Sequence, residues 1–140
     1  HTVGGESYTL NNIEHDILRA DFLEPRIHAA INCASAGCPM LEARAFFPDD
    51  IDSRLEASIT TFLREERNVT IDIQNKTVTL SKILDWFESD FLEWYKTKFS
   101  VDDPAILDYV ALYVKEGFKT GWKVKYHEYD WTLNDQAITP

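Results

Sequence analysis

The sequence predicts an α+β domain, a small and largely antiparallel sheet packed with about five helices. Three observations lead there. Apolar residues recur at helical spacing in several segments. One segment, "VTIDIQNKTVTL", alternates β-branched and polar positions around a turn. Helices and hairpin strands interleave without the strand–helix–strand rhythm of a parallel sheet. No repeat, linker or low-complexity stretch divides the 140 residues, so residues 1–140 read as one domain, large enough to bury a core unaided.

The first helix is expected over "TLNNIEHDILR", where Leu10, Ile13, Ile17 and Leu18 form one stripe and Thr9 or Asn11 can cap. "IHAAINC" is short and apolar after Pro25 and reads as a buried strand. "CASAGCP" is a small-residue turn, with Pro39 opening a short helix through "MLEARAF". Asp49 or Asp50 begins a long helix to about Glu66, with Ile51, Leu55, Ile59, Phe62 and Leu63 inward. The hairpin follows, and Ser81 caps "KILDWFESDFLEWYKTKF", which is expected to break near Ser89 or Asp90. The aromatic ladder of Trp86, Phe87, Phe91, Trp94 and Tyr95 reads as core. Asp103 and Pro104 start another helix that Gly117 stops, and "WKVKYHEYDW" alternates as a final strand.

Net charge is −10 and the isoelectric point is near 4.7. That argues against nucleic acid as partner, since neutralising phosphates needs clustered Lys and Arg. No apolar run reaches the roughly 20 residues of a membrane span. The start "HTVGGES", without Met, reads as a processed or cloned segment, so it carries no information on targeting.

The stretch "RIHAAINCASAGCPM" holds His28 and both cysteines, Cys33 and Cys38. Four readings stand side by side. Cysteines of this kind are often buried structural residues. A disulfide is geometrically open to a five-residue separation, though so short a loop adds only roughly 2 kcal/mol in the entropy model. A zinc clip of His28, Cys33 and Cys38 lacks a fourth ligand and matches none of the strong zinc spacings, so neither metal nor cofactor is expected. A thiol site needs a thiolate, with Cys33 as nucleophile at the end of a strand and His28 as base. On a straight strand, however, those two side chains would point to opposite faces.

In "IEHDILR", helical spacing puts His15 with Arg19 and Glu14 with Leu18. Glu14 can orient a histidine as the third member of a nucleophile–base–orienter set, or be an ordinary surface charge. Cys38, His127 and Asp130 or Asn134 run in the chain order of papain-type hydrolases, but His127 falls on the polar phase of its strand.

Four blocks in order, "YTLNNIEHDILR", "RIHAAINCASAGCP", "LSKILDWFESDF" and "YDWTLN", resemble the DUF547 family, a domain of unknown function, from Gly4 to Asn134. Ile31 stands where the family pattern has Leu. The resemblance implies that cysteine persists at position 33 while serine often replaces Cys38 in plant relatives. That favours Cys33 for chemistry and counts against an obligatory disulfide or zinc clip. It also implies proteins often exported in bacteria, hence a periplasmic or secreted location, and domains joined to a leucine-zipper segment in plants. A family segment of the Trp-Ile-Asn-x-Tyr-Asn type is not found before Thr2, so the chain is expected to be the C-terminal portion of the family domain, completed by that segment or by a protein partner.

The leading expectation is a thiol hydrolase or acyl-transfer domain, distantly papain-like in logic, acting on a small-molecule or peptide substrate. Cys33 is nucleophile, His28 base and Glu14 orienter, with backbone N–H groups of Ala34 to Gly37 as oxyanion donors. Asn32, Ser35, Cys38 and Arg19 are the binding and supporting residues. The rival is a non-catalytic binding or scaffold domain in which Asn32 bonds turn backbone, Arg19 pairs with Glu14 or the tail, and Trp131 seals the core. A metal-binding module is the third.

Overall fold

The computed structural model describes residues 1–115, 118 and 121–135. The expected stop at Gly117 lies outside the described residues. The architecture is α+β: two small sheets, mostly antiparallel, with α-helices packed on the larger one.

A two-residue hairpin, β1 (Thr2–Val3) with β2 (Glu6–Ser7), precedes the first helix. Thr9 caps that helix: its Oγ1 accepts from Asn12 N–H at 3.0 Å while Asn12 Oδ1 accepts from Thr9 N–H at 3.1 Å. Residues Asn12–Leu18 coil as a π-helix and continue into α1 (Arg19–Asp21). Leu10, expected on the inward stripe, is exposed.

The expected strand at "IHAAINC" is instead a 3-10 helix, Pro25–Ala29, with Pro25, Ile27, His28 and Ala29 buried. Its cause is local. Pro25 fixes its own φ at a helical value, and Glu24 accepts a hydrogen bond from Arg26 N–H at 3.1 Å, closing a tight turn. The alternation that would splay His28 from Cys33 therefore does not operate.

No helix forms through "MLEARAF". Arg54, on the long helix, donates to the carbonyls of Arg44 and Ala45 and to Glu42, drawing that segment's acceptors outward rather than along a helical ladder. The long helix α2 (Ile51–Arg64) then buries Leu55, Ile59, Phe62 and Leu63. Ile51, expected on the same face, sits in the first turn and is exposed.

β3 (Val69–Asp72) pairs antiparallel with β4 (Thr77–Leu80), as the hairpin pattern predicts, in the register Val69↔Leu80; Ile73, expected at the end of the first strand, falls in the turn and is exposed. Ser81 accepts from Ile83 N–H and caps α3 (Lys82–Trp86). The break falls at Phe87, two residues before the earliest expected point, and α4 (Glu88–Phe99) follows. After α5 (Ile106–Val110), β5 (Lys123–Tyr126) joins β4 in parallel, giving the order β3–β4–β5. The hairpin is antiparallel as expected; the last strand is the exception, because three helices carry the chain back across the sheet before it pairs.

The core lies between α2, the sheet and α3 to α5. Central strand β4 contributes Val78 and Leu80, α2 contributes Ile59 and Leu63, and Leu84, Phe91 and Tyr109 close it from the other helices. Leu63→Ala leaves a cavity where no solvent reaches and is expected to cost about 3 kcal/mol of unfolding free energy, read by chemical denaturation.

Candidate functional site

The cysteine loop is held by its own side chains and by the chain's closing segment. Asn32 Oδ1 accepts from Ala34 N–H at 2.8 Å, and Asn32 Nδ2 donates to Pro39 O at 2.7 Å. Asn32 therefore bonds turn backbone, as its type suggests. The N–H groups of Ala36 and Gly37 donate to Thr132 O and Asp130 O at 2.8 and 2.9 Å. Arg67 donates to Ala36 O at 2.7 Å. These pairings engage the N–H groups of Ala34, Ala36 and Gly37, so the expected oxyanion role for them is corrected: their protons already point at other oxygens.

Gly37 has a steric reason. A Cβ there would meet the Tyr129 ring at 2.9 Å. Gly37→Ala is expected to push Tyr129 out of place and destabilise by about 1–2 kcal/mol, with a change in tyrosine fluorescence or near-ultraviolet dichroism as its local signature.

Within this loop Cys33 and Cys38 are joined as a disulfide, with Cα atoms 6.2 Å apart. Cys38 is buried at 4% exposure, whereas Cys33 is exposed. The Cys33 N–H lies 2.9 Å from Cys38 Sγ. The Ser35 and Tyr129 hydroxyls lie 3.2 and 3.4 Å from Cys33 Sγ and 2.8 Å from each other. Both candidate sulfur ligands of the metal-clip reading are thus tied to each other.

Glu14, His28, Cys33 and Cys38 all line one hollow of about 210 Å³. Its walls are apolar, with Ile31, Pro39, Ile83 and Phe87, and its rim carries Trp86, Tyr129 and Trp131. The three rim rings touch, with centroids 4.6 to 5.6 Å apart. Trp131 is 71% exposed and Trp86 44%, so neither seals the core as expected; they frame the opening.

His28 is buried, stacked on Phe87 with centroids 4.0 Å apart. Its Nε2 lies 2.8 Å from Asp90 Oδ2. A carboxylate only accepts, so Nε2 carries the proton and Nδ1 holds the free lone pair. Asp90 is held in turn by Arg19, through Nε at 2.7 Å and Nη2 at 2.9 Å. Two expectations are corrected here. Asp90 rather than Glu14 orients His28, because α4 delivers its carboxylate to the edge of the ring at Nε2. Arg19 pairs with Asp90, with His15 Nδ1 also 3.1 Å away, rather than with Glu14 or the tail. Glu14 stays at the hollow, 4.0 Å from His15. Among the described residues no hydrogen bond joins His28 to Cys33.

Burial pushes the His28 imidazole below its ordinary value, more than the Asp90 hydrogen bond raises it. The ring is neutral near pH 7 and able to accept a proton. Burial also works against the Asp90 carboxylate, but the hydrogen bonds from Arg19 and His28 outweigh it and bring the carboxyl down to about 2. Both groups bind protons more weakly folded than unfolded. Stability from them is full above pH 6.5, falls as His28 is asked to protonate, and falls again from 3.8 towards 2 as Asp90 does. His28→Phe is expected to flatten the first limb, which begins as pH falls below 6.5, in denaturation midpoints measured against pH.

His127 lies elsewhere. It lines a separate hollow with Arg67, Ser81 and Lys82, and its Nε2 is 3.4 Å from Thr70 Oγ1. The papain-like chain order of Cys38 and His127 is therefore not realised in space. Asp90 and Tyr129 are the residues that local spacing missed. Both sit inside blocks that carry the family resemblance, "LSKILDWFESDF" and "YDWTLN".

Fold and site define an α+β domain in which a disulfide loop and a buried histidine, held by a partly exposed carboxylate, share one hollow. The model of DUF547, a protein family of unknown function, matches residues 1–63, which bears out the resemblance over the first two of the four blocks. That span carries Glu14, His28 and both cysteines; Asp90 and Tyr129 lie beyond it. No curated protein and no solved structure matches the chain. Among the described residues no helix is long and apolar enough to cross a membrane.

Proposed function

We propose that the domain is a thiol-dependent hydrolase or acyl transferase whose working form has the disulfide open. Cys33 is the nucleophile, His28 the base, and Asp90 the group that fixes the imidazole's tautomer and stabilises its charged form. The observation that carries this reading is the shared hollow: an exposed cysteine and a neutral, carboxylate-held histidine line the same small cavity.

With the disulfide closed, neither sulfur has an electron pair to offer as thiolate. Once reduced, Cys33 gives its proton to His28 Nδ1, and the thiolate attacks the carbonyl carbon of an ester, thioester or amide. The carbonyl π pair moves onto oxygen, where the Ser35 and Tyr129 hydroxyls supply donors. Collapse restores the carbonyl and expels the leaving group, which takes the proton from His28. Water or an acceptor then attacks the Cys33 thioester with His28 again as base.

A cavity of about 210 Å³ is smaller than a typical pocket for a whole small molecule, so it takes one apolar side chain or a short acyl group. The substrate class is thus a small apolar acyl compound or a peptide, not nucleic acid, in keeping with the net charge of −10. A periplasmic or secreted setting fits a chain with a disulfide and the family's exported members.

The test is acylation of reduced protein by short- and medium-chain activated esters and thioesters, followed by mass spectrometry. The expected result is one acyl group on Cys33, lost in Cys33→Ala. No acylation, or acylation that is as fast in His28→Ala, would retire the reading. One observation favours the rival, a non-catalytic binding domain: the closed disulfide itself. That reading expects the exposed rim of Trp86 and Trp131 to bind a ligand equally well with Cys33 replaced.

A further inference from the structure

We infer that Cys33 and Cys38 form a reversible thiol–disulfide couple, entered by an external thiol at Cys33 and resolved by Cys38. Three features of the loop point there, beyond the two sulfurs being joined.

The loop does not depend on the disulfide for its shape. Asn32 bridges Ala34 N–H and Pro39 O, the closing segment accepts from Ala36 and Gly37, and Arg67 holds Ala36 O. A crosslink that closes so short a loop constrains little of the unfolded chain, while these hydrogen bonds hold the loop in the folded one. Opening it leaves the two sulfurs near each other and able to close again.

The sulfurs are unequal. Cys33 is exposed at the mouth of the hollow, and Cys38 is 4% exposed beneath it. An attacking thiolate has access to one side only.

The leaving sulfur has a donor in place. Cys33 N–H sits 2.9 Å from Cys38 Sγ, where it stabilises negative charge as the bond breaks. The step balances. An external thiolate RS⁻ bonds to Cys33 Sγ, and the S–S pair leaves on Cys38 as thiolate. A second RS⁻ attacks the outer sulfur of the mixed disulfide, releasing RSSR and the Cys33 thiolate. The external thiol is oxidised by two electrons and the protein disulfide is reduced by two. This couple governs the acyl-transfer reading above and rests on it only for its consequence, not for its chemistry.

The experiment equilibrates the native chain with graded ratios of reduced to oxidised glutathione, quenches with acid, alkylates and maps masses. A parallel arm uses a small dithiol protein reductant, which distinguishes a protein thiol from a low-molecular-weight one as the source. Expected are a reversible transition with circular dichroism unchanged, and a glutathione adduct on Cys33 in Cys38→Ser at least about tenfold above that on Cys38 in Cys33→Ser. Should either variant fail to fold, wild-type protein quenched part-way through reduction decides, with the transient adduct expected at Cys33. Reduction only after denaturation, or equal adducts on both sulfurs, overturns the couple. The readout involves no acyl substrate. Exchange without acylation therefore sinks the proposed function alone, and acylation of chemically reduced protein without native exchange sinks the couple alone.

Discussion

Asp90→Ala is expected to destabilise the domain by about 3 kcal/mol and, in reduced protein, to slow acylation of Cys33 by about a hundredfold or more. The single carboxylate accepts from Arg19 twice and from His28 once, with only 23% of its side chain exposed. Removing it takes the acceptor from two guanidinium N–H groups and from the imidazole N–H, and leaves the ring free to take the other tautomer or to rotate. Asp90→Asn separates the two effects. Its amide oxygen can still accept from one donor, so much of the stability should return, while the loss of charge leaves the imidazolium unsupported and the rate low. Urea denaturation reads the first effect, and acyl-enzyme mass kinetics the second. Equal rates in wild type and Asp90→Asn, at equal fold stability, would reduce the carboxylate to a structural role.

The second large effect is His28→Ala. It removes the base and opens space against Phe87 and Phe91, the two rings it packs on. Cys33 acylation at pH 7 should fall by roughly two to three orders of magnitude, the usual reach of a general base. Stability should also fall, by about 1–2 kcal/mol for the lost packing. His28→Gln keeps more of the volume and can still donate to Asp90, but it offers no basic nitrogen. It should therefore restore stability more than rate. A variant that restored both would show that the ring is there to pack.

Much of the fold was legible because its causes are local. Ser81 as a cap, the antiparallel hairpin of β3 and β4 and the inner face of α2 each follow from a few adjacent residues. The strand expected over "IHAAINC" failed for a reason of the same local kind: a short apolar run does not distinguish strand from tight helix, and Pro25 with the Glu24 cap chose the helix. That miss mattered, because the objection to placing His28 beside Cys33 assumed strand alternation. The site was legible in its short-range members, Glu14, His28, Cys33 and Ser35, which do gather around one loop and hollow. Its remaining members come from far along the chain. Asp90 lies 62 residues from His28, and Tyr129 is 96 from Cys33. No periodicity connects such positions; only the packing of α4 and the return of the closing segment over Gly37 do. The parallel pairing of β5 belongs with these, since its partner strand precedes three helices.

The most direct measurement is the pH dependence of Cys33 alkylation by iodoacetamide in fully reduced protein, compared with His28→Ala. If the sulfur and the imidazole share a proton in the hollow, Cys33 should react rapidly at pH near 6, Cys38 slowly, and the His28→Ala profile should move up towards the ordinary thiol value of about 8.5. Two cysteines that label equally slowly at pH 6, with a profile that His28→Ala leaves where it was, would contradict the account.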